Sequence, residues 1–247
     1  MSLLGVVVGA SDYGEAHRIV RLLTASEGRV SLLARSARRS RKRFAGMLDV
    51  GTQVRVEPGR GRGDLRVISD IDRITGPKRA RTDLDRIALL AYGCELCGAL
   101  AAEGEPEPKL ARLLEVWLEV LEGDATPGVA SRVALEAKAL TFAGVVPVLV
   151  ACTVCGGPLE GDAHFDASGG GARHPRCGAG RGVRQADLEE LEALRRSPLM
   201  TTVGAPAPRG AGLMWSAVRA HLGRTLRARA LIDDLAGTRS TPQGDRS

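Results

Sequence analysis

Cys152-Thr153-Val154-Cys155 and His174-Pro175-Arg176-Cys177 are two pairs of side chains, each with two residues between its members, and eighteen residues separate the pairs. Two intervening residues let a tight turn aim both side chains at one ion, and two such turns supply the four nitrogen and sulfur ligands of a closed tetrahedral zinc site. A closed site holds no position for substrate or water, so the chemistry implied is structural. The intervening segment is rich in glycine (Gly156, Gly157, Gly161, Gly169, Gly170, Gly171) and cannot bury a core of its own without a cross-link. One structural Zn2+ held by Cys152, Cys155, His174 and Cys177 is therefore expected. His164 lies in the same loop and is the alternative fourth ligand, although His174 has the paired spacing. Cys94-Glu95-Leu96-Cys97 repeats the two-residue spacing but follows the apolar run Ile87 to Tyr92 without a second pair nearby, so it reads as two small buried residues on a helix face.

Five cysteines, an odd number with a metal-like pattern, argue for a reducing compartment and against a disulfide scaffold. The apolar start, Leu3 to Ala10, is short, has no basic residue ahead of it and runs into Asp12 and Glu15. It fits neither a signal peptide nor a membrane span, and a cytoplasmic protein is expected. Lys and Arg number 35 against 29 Asp and Glu, a net charge of +6. That excess favours a polyanionic partner, and most of it is arginine, whose fork of N–H groups suits phosphate.

The hydrophobic period changes near Thr75-Gly76-Pro77. Before it, Thr52, Val54 and Val56 alternate with Gln53, Arg55 and Glu57 in strand fashion. Turns such as Asp12-Tyr13-Gly14 and Ser26-Glu27-Gly28 separate apolar runs at Leu4 to Val8, Ile19 to Thr24, Val30 to Ala34, Val50 to Val56 and Leu65 to Ile68. Five strands with no room for crossover helices predict a small barrel of the OB-fold kind over residues 1–77. After Pro77 the period is helical: Leu84 to Leu100, Leu110 to Leu121, Val129 to Phe142, Ala186 to Leu194, and one long final helix over Trp215 to Leu235. The fold class is thus α+β and multidomain: the barrel, an α-helical domain in two parts (78–149 and 183–237), a zinc module inserted between them (150–182), and a disordered tail (238–247).

From Arg35 to Arg43 six of nine residues are basic (Arg35, Arg38, Arg39, Arg41, Lys42, Arg43), with no acidic residue between Glu27 and Asp49. Placed after the third strand, such an arm can lie along a phosphate backbone. A second basic stripe, Arg219, Arg224 and Arg227, runs along the expected last helix. Aromatic residues are 3% of the chain, so base stacking and sequence-specific readout are not expected. Enzymatic readings fare poorly. A zinc deaminase needs His-x-Glu ahead of its Cys-x-x-Cys and an open metal position, and Gly59-Arg60-Gly61-Arg62-Gly63 lacks the Gly-Lys-Ser/Thr of a phosphate loop. A zinc-ribbon adaptor for protein partners, with incidental basic charge, is the other reading.

Ser11-Asp12-Tyr13-Gly14-Glu15-Ala16-His17-Arg18-Ile19-Val20-Arg21-Leu22-Leu23-Thr24, followed by Glu27-Gly28-Arg29 and the basic Ala34 to Arg39, resembles the opening of the RecO family of bacterial recombination mediators. Leu140 to Pro147 leading into Cys152-x-x-Cys155-Gly156 is similar to the zinc entry of that family's zinc-bearing members, and Leu226 to Leu231 resembles its closing helix. The succession spans nearly the whole chain. It implies an N-terminal OB-fold, a helical domain, a zinc module and no catalytic site. It also implies a role: binding single- and double-stranded DNA, annealing strands, engaging the single-strand-binding protein, and acting with RecR to load RecA, in a cytoplasmic, nucleoid-associated setting. Two positions depart from the family pattern: His174 stands where a cysteine is usual, and Ser36 where glycine is frequent.

Overall fold

The computed structural model describes residues 2–40, 44–61 and 65–240. Strands β1 (Leu3–Tyr13), β2 (His17–Thr24), β3 (Gly28–Ala34), β4 (Gln53–Gly59) and β5 (Arg66–Thr75) form a closed barrel in the order β1-β2-β3-β5-β4, the OB-type arrangement expected. β1 pairs antiparallel with both β2 and β4, and β3 closes the barrel against β5 in parallel at Leu32–Arg66 and Leu33–Val67. The alternation in β4 is real: Val54 and Val56 are fully buried, while Arg55 and Glu57 are exposed. β1 and β5 run longer than their apolar runs indicated, because polar residues such as Ser11, Asp12, Asp70 and Asp72 keep to the ladder on the solvent side.

Leu3, Val7, Val20, Leu22, Leu32, Val54, Val56 and Ile68 fill the barrel. Val6 and Leu23, cross-strand partners in β1 and β2, belong instead to the core of the helical domain. A residue and its sequence neighbour point to opposite faces of a strand, so one pair of strands serves two cores. Close approach at this junction depends on Gly98, where an added Cβ would lie 2.9 Å from Val8.

The helical domain comprises α1 (Leu84–Leu100), α2 (Pro108–Leu121), α3 (Val129–Phe142), α4 (Gln185–Arg196), α5 (Ala211–Leu222) and α6 (Arg227–Ser240). Asp83 caps α1 by accepting from the N–H groups of Asp85 and Arg86. Trp117, Tyr92, Leu96, Leu114, Leu135 and Leu140 are among its fully buried side chains. Cys94 and Cys97 are both fully buried on α1, and burial pushes the Cys97 thiol up to about 12 and the Cys94 thiol higher still. They are inert core residues, as their setting in the sequence suggested.

The single long helix expected over Trp215 to Leu235 is two helices. Gly223 adopts φ 64° and donates its N–H to the Arg219 carbonyl, which ends α5 in the left-handed cap that glycine favours. α6 continues to Ser240, three residues into the stretch expected to be disordered. Among the described residues no helix is long and apolar enough to cross a membrane.

Between α3 and α4 lies a small sheet of β6 (Ala163–Asp166), β7 (Gly171–Arg173) and β8 (Arg181–Val183) in the order β7-β6-β8. Its apolar residues are not a separate core. Leu159, Ala163, Phe165 and Ala172 join the helical core, and Val148 bridges to Gly171.

Candidate metal centre and basic surfaces

Cys152 starts a turn in which its own N–H donates to the Gly157 carbonyl and its carbonyl accepts from Gly156. Cys155 sits on the outer limb of that turn. His174 and Cys177 bracket a single 3-10 turn closed by Cys177 N–H to the His174 carbonyl. The two turns face one another, and one ligand atom from each of Cys152, Cys155, His174 and Cys177 lies within 4.8 Å of the others. Cys152 is buried, Cys155 exposed, and His174 and Cys177 half-buried.

Hydrogen bonding fixes the orientation of the imidazole. Nε2 of His174 is 2.9 Å from the Pro158 carbonyl, which can only accept, so Nε2 carries the proton. Nδ1 is the nitrogen turned inward, 3.4 Å from Cys155 Sγ and 3.8 Å from Cys177 Sγ, and in the neutral ring it presents its lone pair there. A carbonyl behind a ligating imidazole is the usual support of a metal-bound histidine. His164 is turned elsewhere, its Nδ1 2.9 Å from the Gly178 carbonyl, which leaves His174 as the imidazole of the cluster.

Burial pushes the Cys152 thiol up, but the N–H groups of Cys155, His174 and Val154, with help from the Cys155 thiol, outweigh it and bring the pKa to about 5. Cys177 is raised, by burial first and then by its two thiol neighbours. Three thiols in such proximity cannot all ionise without a cation among them, and three sulfurs with one imidazole are a soft, tetrahedral donor set. The cluster could hold a metal ion.

The basic arm leaves β3 at Ala34. Arg35, Arg38 and Arg39 are exposed, while Arg41, Lys42 and Arg43 lie outside the described residues. Ser36 carries the turn at φ 56°, donates its N–H to His17 Nδ1, and accepts from the N–H groups of Arg39 and Ser40. The arm's charge is partly answered in space. Arg38 Nε lies 3.5 Å from Asp12, and Arg39 lies 3.7 Å from Glu15, both on the β1–β2 hairpin. Arg18 also binds Asp12 and, with Arg38 adding to it, holds that carboxyl below its ordinary range.

Arg219, Arg224 and Arg227 are exposed, but not as a stripe on one helix. Arg219 is on α5, Arg224 in the connection, and Arg227 opens α6. Arg224 pairs with Glu95 of α1 at 3.6 Å, and Glu95 also accepts from the N–H groups of Arg227 and Ala228.

Comparison with known proteins decides the family. The family model described as "Recombination protein O N terminal" matches residues 1–76, and "Recombination protein O C terminal" matches residues 81–229. The chain belongs to the RecO family. It is 38% identical over 95% of its length to "DNA repair protein RecO" of Anaeromyxobacter dehalogenans (strain 2CP-C), covering 96% of that relative. The protein of the same name from Myxococcus xanthus is 36% identical over 90% of this chain and 93% of its own, and that from Geobacter sulfurreducens is 37% identical over 93% and 96%. The two RecO segments meet where the barrel gives way to helices, between Thr75 and the 3-10 turn at Arg79–Arg81.

Two basic residues of this RecO-family fold escaped the sequence reading. Arg21 on β2 and Arg29 on β3 line a groove of about 500 Å3 with Arg224 and Arg227. Neither lies in a basic run of the sequence, and only the packing of barrel on helices brings them beside Arg224 and Arg227.

Proposed function

We propose that this RecO-family chain is a non-enzymatic mediator of DNA repair and recombination. It binds single- and double-stranded DNA, anneals complementary strands, and acts with RecR to load RecA on DNA coated by the single-strand-binding protein, in the cytoplasm and in association with the nucleoid. The observation that carries this reading is the match to proteins named DNA repair protein RecO over 95% of the chain.

The chain's own residues support it physically. Arg35, Arg38, Arg39, Arg41, Lys42 and Arg43, with Arg219, Arg224 and Arg227, contact phosphates, and affinity comes from counterion release rather than base readout. Annealing needs such charge, because two polyanionic strands repel until a cationic surface offsets their phosphates. One Zn2+ held by Cys152, Cys155, His174 and Cys177 would contribute folding energy by cross-linking the two turns. With four protein ligands the ion has no open position, so it takes no part in a reaction.

The test is annealing of two complementary labelled oligonucleotides by the purified protein without nucleotide cofactor, with zinc measured on the same sample. Faster annealing and one zinc per chain are expected. A protein that carries zinc but neither binds nor anneals DNA would be a zinc-ribbon adaptor for other proteins, and the reading would fall.

A further inference from the structure

The groove between barrel and helical domain is charged out of proportion to its size. Arg21, Arg29, Arg224 and Arg227 line it, and Glu95 is its one acidic residue. Glu95 is already engaged, by Arg224 and by the first N–H groups of α6. Arg29 is held in place, donating to the Gly98 carbonyl at 3.1 Å and to Glu103 at 3.3 Å. Arg21 and Arg227 are exposed and enter no ion pair among the described residues. Excess positive charge therefore faces the opening.

The recess does not stop at one phosphate. A second cavity of about 540 Å3, lined by Arg219, Ser216 and Thr225, shares Arg224 with the first. The pair forms a basic path from β2 across α1 to the end of α5. Its floor is small: Ala10, Ser11, Gly98 and Ala99 in the first part, Ala220 and Gly223 in the second. Small floor residues admit a backbone closely, and neither cavity is lined by an aromatic ring that could stack a base.

We infer that this groove is a second nucleic-acid track, which holds the sugar-phosphate backbone of a single strand separately from the basic arm after β3. A rigid duplex presents phosphates on a convex cylinder and reaches only the rim of a recess, whereas a single strand can follow it. An acidic peptide matches the charge but needs apolar anchor pockets, and the polar, small-residue lining offers none. Two tracks on one chain give annealing a physical basis: each holds one strand, and the protein between them screens their repulsion. The inference rests on the DNA-binding reading and adds the place of the second strand.

The experiment compares the full-length parent, a groove variant (Arg21→Ala with Arg227→Ala) and an arm variant (Arg35→Ala, Arg38→Ala, Arg39→Ala). The probe is a labelled oligothymidylate of about ten nucleotides, within the footprint of one barrel of this kind. The parent is expected to bind two probes per chain by sedimentation and the groove variant one, with annealing slowed about tenfold because two phosphates go unneutralised. A second variant, Arg21→Lys with Arg227→Lys, keeps the charge and should restore two-probe binding, which separates charge from folding. A groove variant that still binds two probes and anneals at the parent's rate overturns the inference while the arm remains. Loss of binding to a polyglutamate peptide, with both probes retained, overturns it in favour of a peptide site. If the parent binds no probe at all, the DNA-binding reading fails and the inference with it.

Discussion

Ser36 is the one residue other than glycine with a positive φ, 56°, among the described residues. The left-handed region costs a residue with a Cβ roughly 1–2 kcal/mol, and serine bears it here because the turn must bring the arm back over the β1–β2 hairpin. Ser36→Gly is expected to raise stability by up to about 1 kcal/mol and Ser36→Val to lower it by about as much, read from denaturant midpoints. At the metal centre, Cys152→Ser is expected to release the ion, and metal analysis of the purified variant checks it. A full equivalent of zinc in that variant would mean the ligand set is wrong. The ligand pairs were legible because spacing fixes the reach of a tight turn. That His174 rather than His164 joins the cluster follows from what the sequence does not display, the Pro158 and Gly178 carbonyls that orient the two rings.

Among the elements, α1 and α3 have the bounds their period predicts, since an apolar face of steady spacing between polar ends leaves little freedom. The α5–α6 break was missed because Val218, Leu222 and Leu226 continue the helical spacing across it. The signal present was Gly223 directly after a turn carrying Arg219 and His221, the usual pattern of a helix C-terminus. Chelation of the metal should lower the melting temperature by loosening β6 and β7 from the helical core, because Phe165 and Ala172 lie in both. Circular dichroism with and without chelator measures it.

A second element-scale prediction concerns the link from barrel to helices. Glu122, just past α2, accepts the N–H groups of Lys78, Arg79 and Ala80. Burial works against its charged form, but these three donors prevail and hold its pKa below the ordinary value. A depressed folded-state pKa means stability present above the unfolded carboxylate's pKa and lost as pH falls through the lower, folded value. Glu122→Ala is therefore expected to cost about 1–3 kcal/mol at neutral pH and progressively less in acid, by urea titration across pH. A cost independent of pH would show that the carboxylate charge is not what holds the link.

At the scale of the whole molecule, the barrel and the helical domain are joined by strands that serve two cores, and the basic surfaces lie on both sides of that junction. The run of arginines after β3 was legible as charge density. Its neutralisation by Asp12 and Glu15 was not, because the acids lie on a different hairpin and only the turn at Ser36 brings them under the arm. A phosphate must compete with Asp12 for Arg38, so Asp12→Asn is expected to strengthen DNA binding a few-fold, on the order of one exposed ion pair exchanged. Fluorescence anisotropy at fixed salt reads that change.

The most direct test of the central claim, that this chain holds DNA through phosphates by way of the basic arm, is the salt dependence of its affinity for a single strand. The parent and the variant with Arg38, Arg39, Arg41 and Arg43 all replaced by Ala are titrated across a range of salt. Each phosphate that the variant no longer neutralises should flatten the slope of log affinity against log salt by about 0.7, so removing three or four such charges gives a plainly shallower line, with equal weakening on unrelated sequences. An unchanged slope and affinity in the quadruple variant would contradict the account and reduce the arm to a solvated loop.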